Sequence, residues 1–131
     1  ELLGMFDSRD ICPSGLEEDS SFHDATAAGR GYAAAGGVAD AIGACLKEYY
    51  PEVEVHIEHA EGLADCKKIL TLAKAGKIKG CLIEGMGCPG GCIGGAGTNA
   101  PIKEAQMVLK KYKAASSRKV PDADLIEIRL D

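Results

Sequence analysis

The chain lacks any apolar run near the roughly 18 residues that a bilayer-spanning helix needs, so a transmembrane reading is excluded. No secretory signal is visible, although a fragment would not carry one. Positive charge is in short supply: 15 Lys and Arg stand against 20 Asp and Glu, a net charge of -5. That balance argues against nucleic acid or an acidic membrane as a partner. Much of the imbalance falls early, where Glu1, Asp7, Asp10, Glu17, Glu18, Asp19 and Asp24 face only Arg9 and Arg30. A solvated face explains it better than a steering surface. A phosphate-binding loop is missing as well. Gly31 and Gly36 bracket four residues, but Gly37 follows where such a loop needs lysine. Tryptophan is absent altogether.

What the chain does have is glycine and cysteine, 17 and 6 residues respectively. A hydrophobic content of 46% is enough for a core, and 131 residues make one domain or less. Cys12, Cys45, Cys66 and Cys81 form no spaced framework with Cys88 and Cys92. Three of those four fall on apolar faces or strands. Reduced, buried thiols in a reducing compartment suit them better than a secreted disulfide scaffold. The expected location is therefore cytoplasmic.

The periodicities alternate between helix and strand. Residues 1 to 9 read as a short helix, and 11 to 24 as loop. Ala25 to Gly37 is rich in small residues and reads as either helix or glycine-punctuated loop. Val38, Ile42, Cys45 and Tyr49 recur at helical spacing up to about Tyr50, and Pro51 stops the helix. Val53-Glu54-Val55-His56-Ile57 alternates as a strand does. Leu63, Cys66, Ile69, Leu70 and Ala73 form the next amphipathic helix, ending near Gly76. Gly80-Cys81-Leu82-Ile83 reads as an interior strand. After a loop, Thr98 or Asn99 can cap a helix whose stripe is Ile102, Ala105, Leu109 and Tyr112, with Pro101 in its first turn. Leu125 to Leu130 alternates at its end and reads as a further strand. The order implies an α/β fold, a small open sheet with parallel strands flanked by helices.

The loop between the second strand and the last helix is the candidate site. It reads Glu84-Gly85-Met86-Gly87-Cys88-Pro89-Gly90-Gly91-Cys92-Ile93-Gly94-Gly95-Ala96-Gly97. Glycine at this density costs conformational entropy and needs a reason. A sulfur-liganded inorganic cluster is one, since thiolates hold it and nearby backbone N–H groups tune it. A zinc site would need two further ligands, and no second pair at this spacing exists. A Cys88–Cys92 disulfide is sterically awkward. Spacing and glycines alone leave the metal site, the disulfide and a pair of plain thiols all open. The loop leaves the C-terminal end of a strand and enters a helix, which is where open α/β sheets place ligands.

Here the sequence resembles a known family. Glu84-x-Met86-x-Cys88-x-Gly90-Gly91-Cys92-x-x-Gly95 is similar to the third cluster-binding motif of the iron-only hydrogenases, Glu-x-Met-x-Cys-x-x-Gly-Cys-x-x-Gly-Gly-Gly-Gln-Pro. Upstream, Tyr32-Ala33-Ala34-Ala35-Gly36-Gly37-Val38-Ala39-Asp40-Ala41 is similar to the family's Phe-Gly-Ala-Thr-Gly-Gly-Val-Met-Glu-Ala. The similarity runs from about Ser21 to about Pro101. It implies that Cys88 and Cys92 are two of the four cysteines holding the 4Fe–4S part of an H-cluster, with Cys92 bridging to the di-iron subsite. Met86 and Tyr32 would stand near the di-iron unit as cofactor-binding residues. The family's first two cluster motifs, Thr-Ser-Cys-Cys-Pro-Gly-Trp and Met-Pro-Cys-x-x-Lys-Lys, are absent, and without tryptophan the first cannot occur in full. Those motifs carry the other two cluster cysteines and the proton-relay cysteine, so no catalytic residue is assigned here. Ala96 stands for a family glycine and Thr98-Asn99 for Gln-Pro.

The chain is accordingly read as residues 1-131 of a C-terminal segment of a hydrogenase-like H-cluster domain, inactive by itself and without its own cluster. The parent would interconvert protons, electrons and dihydrogen in an anaerobe. Its partners would be the rest of the hydrogenase domain and a ferredoxin-like electron carrier. A redox or hydrogen sensor, and an iron–sulfur assembly protein of the same family, are the competing readings. His23, His56 and His59 are read as solvated or hydrogen-bonded, with His59 in a loop after the strand. Asp122 and Asp124 are read as a solvated turn. Glu84 is read either as an acceptor for the loop backbone or as a plain strand-end carboxylate.

Overall fold

Residues 1–17, 19 and 25–122 are described by the computed structural model. At its centre is one β–α–β unit: β1 (His56–Glu61), α4 (Gly62–Lys74) and β2 (Cys81–Met86). The two strands pair in parallel, in the register His56 with Cys81 through Glu61 with Met86. A parallel pair needs a crossover, and the amphipathic α4 supplies it. The chain before it forms α1 (Leu2–Asp7), α2 (Ala27–Arg30) and α3 (Gly37–Tyr49), and the chain after it α5 (Ile102–Ala114). The α/β class and the small open parallel sheet flanked by helices are as expected.

The period of two along a strand decides which helix each residue meets. A side chain at Gly43 of α3 would meet Ile57 Cδ1 at 3.2 Å, and one at Gly85 would meet Cys66 Sγ of α4 at 3.1 Å. Ile57, His59, Leu82, Glu84 and Met86 thus belong to the α3 side, and Gly85 to the α4 side. The short α2 is capped by Thr26, whose Oγ1 accepts the Gly29 N–H at 3.1 Å. Its first N–H groups, from Ala27 and Ala28, donate to the carbonyls of Arg118 and Lys119, which satisfies donors that a helix leaves orphaned. Arg30 ties α2 to α5: its guanidinium lies 4.3 Å from the Tyr112 ring centre and donates to the Tyr112 carbonyl at 2.9 Å.

Several expectations need correction. The alternation at Val53–Ile57 overstated the strand at its start: the bond from Val53 N to Tyr50 O closes a turn at Pro51-Glu52, and residues 53–55 stay irregular before the ladder begins. The strand begins at His56 and runs on to Glu61, so His59 lies within it and not in a following loop. The second strand likewise continues past Ile83 to Met86, which puts Glu84 and Met86 on the sheet. Ala25–Gly37 divides into α2, a series of turns over residues 31–36 and the first residue of α3. Neither Thr98 nor Asn99 caps α5. Pro101 occupies the cap position without a side-chain bond, and Thr98 Oγ1 donates instead to the Gly95 carbonyl at 2.7 Å. Cys45 and Cys66 are half-buried thiols rather than fully buried ones. The reason is a thin core, in which Ala39, Ala41, Ala60 and Ile69 are the buried apolar residues among those described. Asp122 pairs with Arg118 at 2.8 Å on the surface. The strand expected at 125–130, His23 and Asp124 lie outside the described residues. No helix among the described residues is long and apolar enough to cross a membrane.

Small residues at α3's start are a packing requirement. A Cβ on Gly37 would collide with the Gly31 carbonyl and stand 3.2 Å from Tyr32 Cα. The expected outcome for Gly37→Ala is a loss of about 1–3 kcal/mol, the usual cost of overpacking against backbone. A denaturant titration of the two chains measures it. An unchanged midpoint would show that this contact is not tight.

Candidate functional site

The second strand ends at Met86 and delivers the chain into the cysteine loop. Gly90 and Gly91 turn it with φ of 82° and 81°, a region that favours glycine. Cys92 then opens a single turn of 3-10 helix, Cys92–Gly94. Several of the loop's amides have fixed partners within it. Gly91 N donates to the Cys88 carbonyl, Gly94 N to that of Gly91 and Gly95 N to that of Cys92, all at 3.0–3.1 Å.

Further bonds tie the loop and its strand to distant parts of the chain. Ala35 N donates to the Gly90 carbonyl and Ile93 N donates to the Ala33 carbonyl, both at 3.1 Å. A Cβ on Gly91 would lie 2.8 Å from the Ala33 carbonyl oxygen and closer still to Ala34 and Ala35. The loop is therefore laid backbone to backbone on residues 33–35. A third tie is Glu84. Its Oε2 accepts the Ala39 N–H at 3.1 Å. Gly36, at the N-cap of α3 with φ 83°, has no side chain to cap with, and the strand carboxylate takes that place. A negative group at a helix N-terminus is favoured both by the orphan donors and by the dipole. Glu84 is also crowded: its side chain is only 9% exposed, and His59 Nδ1 stands 3.5 Å away. Its other oxygen, Oε1, is buried and has no hydrogen-bond partner among the described residues.

Cys88 and Cys92 are exposed, free thiols. A Cβ at Gly95 would stand 3.8 Å from Cys88 Sγ, so the Cys88 sulfur lies over the turn that Cys92 begins. Among the described residues, no group of three or more His, Cys, Asp or Glu side chains is arranged to hold a metal ion. Met86 is half-buried and lines a hollow of about 310 Å³ with Val38, Ala39, Ile42 and Glu84. Tyr32 is 49% exposed. It lines a different, largely apolar hollow of about 980 Å³ between α2 and α3, with Cys45 and Tyr49. Ile42 lies between the two hollows and borders both.

Glu84 does not serve the loop backbone directly, as one sequence reading had it. That role falls to Glu61, at the end of β1, whose Oε2 accepts the Gly90 N–H at 2.8 Å. Nothing in the sequence signals this, because a glutamate before a helix is ordinary. Outside the loop, the exposed Cys12 thiol has its pKa lowered. The Ser14 hydroxyl, 3.2 Å away, is the main cause, helped by the Ser14 and Gly15 backbone and opposed by partial desolvation.

The cap predicts a graded response. Glu84→Ala removes the acceptor and is expected to cost about 1–2 kcal/mol. Glu84→Gln keeps an oxygen for Ala39 N–H and should cost less. Urea midpoints for the two variants test the order, and equal losses would mean that the cap bond contributes nothing.

The family model described as iron only hydrogenase large subunit, C-terminal domain, matches residues 1–96. The matched span contains both segments that meet at the loop, and α5 lies beyond it. No curated protein matches the chain.

Proposed function

The chain belongs to the family formed by the C-terminal domain of the large subunits of iron-only hydrogenases, and from that premise we propose that Cys88 and Cys92 are two of the four thiolates of an iron–sulfur site in the parent protein. The parent interconverts protons, electrons and dihydrogen. An H-cluster, a 4Fe–4S cluster joined to a di-iron subsite, supplies the redox and hydrogen chemistry when bound. In this reading Cys92 is the bridging thiolate, and Met86 and Tyr32 belong to the surroundings of the di-iron unit.

The donors of this chain suit half of such a site. Two accessible thiols stand four residues apart in a loop stripped of side-chain bulk. Thiolates are the soft ligands that iron–sulfur clusters take, but a 4Fe–4S cluster takes four. The remaining thiolates come from the rest of the parent hydrogenase domain, which is the first partner of this chain. A ferredoxin-like carrier exchanges electrons with the assembled protein. The chain's own residues do the positioning. Cys88 and Cys92 hold the ligand sulfurs, the glycines leave room beside them, and Val38, Ile42 and Met86 line the hollow at the strand end.

The observation that carries this reading is the backbone docking of Gly90–Ile93 on Ala33–Ala35. It joins the two segments in which the sequence resembles the family, although they lie far apart in the chain. A second reading is a redox or hydrogen sensor, or an assembly protein, built on the same site. It is favoured by where the family match stops, at residue 96, at the start of the Ala96–Asn99 departure.

The test is iron content and EPR of the reconstituted parent. Cys92→Ala should abolish the cluster, because the loop has no spare cysteine beyond Cys88 and Cys92 to replace the lost thiolate. Cys45→Ala and Cys66→Ala should keep it, with a stability loss of about 1 kcal/mol each. Retention in the Cys92 variant together with loss in the Cys45 or Cys66 variant would reject the ligation. The 131-residue chain alone should evolve no dihydrogen after anaerobic maturation, and measurable evolution would show that its two thiolates suffice.

A further inference from the structure

Glu61 closes β1 and meets the cysteine loop at its midpoint. Its Oε2 takes the N–H of Gly90, which lies halfway between Cys88 and Cys92. The register sets Glu61 beside Met86, where the loop leaves the sheet. The following residue lies near the loop: a Cβ on Gly62 would stand 3.8 Å from Pro89 Cγ. The end of β1 thus bonds Gly90 and, with the start of α4, lies beside Pro89, the two residues that separate Cys88 from the Gly91–Cys92 turn.

From this geometry we infer that Glu61 is a positioning residue for the Cys88–Cys92 pair. Gly90 is held from both sides. Its N–H goes to the Glu61 carboxylate and its carbonyl receives Ala35 N–H. Without the carboxylate, one of two consecutive positive-φ glycines loses its anchor to the sheet, and glycine has the most backbone freedom to regain. The bond is exposed, so its contribution to global stability is small and its effect is local. The carboxylate also decides which loop amides remain for sulfur, since an N–H directed at Glu61 is not directed at a thiolate. The functional meaning rests on Cys88 and Cys92 being a ligand pair; the ordering of the loop does not.

The test is made on the full chain without metal. Two quantities are read: amide exchange at Gly90 by NMR, and the rate at which an added oxidant closes a Cys88–Cys92 disulfide. Alkylation of the half-buried Cys45 and Cys66 serves as the reference for general loosening. Glu61→Ala should speed both readings about fivefold, the shift in loop opening that matches one net hydrogen bond. Glu61→Gln keeps an acceptor oxygen and loses the charge, and should stay within twofold of the parent chain. Unchanged readings in Glu61→Ala overturn the inference. So does a Glu61→Gln variant that follows Glu61→Ala, because charge and not bond geometry would then be at work. Parallel acceleration at Cys45 and Cys66 also overturns it, making Glu61 a general stabiliser. No iron enters the measurement, so failure of the cluster assignment and failure of this inference give different results.

Discussion

Contact between two stretches of bare backbone is the constraint on which the site depends. Residues 33–35 and 90–93 approach so closely that a single methyl group at Gly91 would meet three backbone atoms. The amides exchanged there, Ala35 to Gly90 and Ile93 to Ala33, need that closeness to form. Glycine accepts the φ of 81° at Gly91 and has no side chain to hold the segments apart. The small residues upstream, Ala33-Ala34-Ala35-Gly36-Gly37, form the complementary surface. Gly91 is thereby explained by this contact, while Gly37 is required by a separate one with the Gly31 carbonyl.

Two carboxylates from the sheet complete the arrangement, one for each side of the contact. Glu84 reaches α3 and Glu61 reaches the loop, and both accept a backbone N–H that has no helical or strand partner. Their settings differ. Glu61 is exposed, where a carboxylate keeps most of its hydration. Glu84 is nearly enclosed, with one oxygen bonded and the other left without a donor. Such a group is costly unless compensated, and the α3 N-terminus with His59 alongside is the compensation on hand. The strand pairing makes this possible, because His59 and Glu84 are register partners on the same face.

The rest of the domain is loosely filled by comparison. Among the described residues, four small or medium apolar ones make the buried core, while Leu63, Leu70, Met107 and Val108 are more than half exposed. A two-stranded sheet cannot cover the faces of three flanking helices.

Local patterns in the sequence determined much of this. The stripes at Val38–Tyr49, Leu63–Ala73 and Ile102–Tyr112 set three helices to within a residue or two, because helical periodicity is a local property. The strand order, the parallel pairing and the strand-to-helix cysteine loop followed from the same reading, and the family was legible in two short motifs. Strand limits were not legible, since β1 and β2 extend as far as their mutual hydrogen bonds allow, to Glu61 and Met86. The partners of Glu84, Glu61 and His59 were likewise beyond the sequence. Each acts on a residue 25 or more positions away, and only the register between strands brings those atoms together. Spacing identified the two cysteines as a candidate pair. What holds their loop in place was decided by tertiary structure, because backbone groups meeting across 55 residues leave no trace in composition or periodicity.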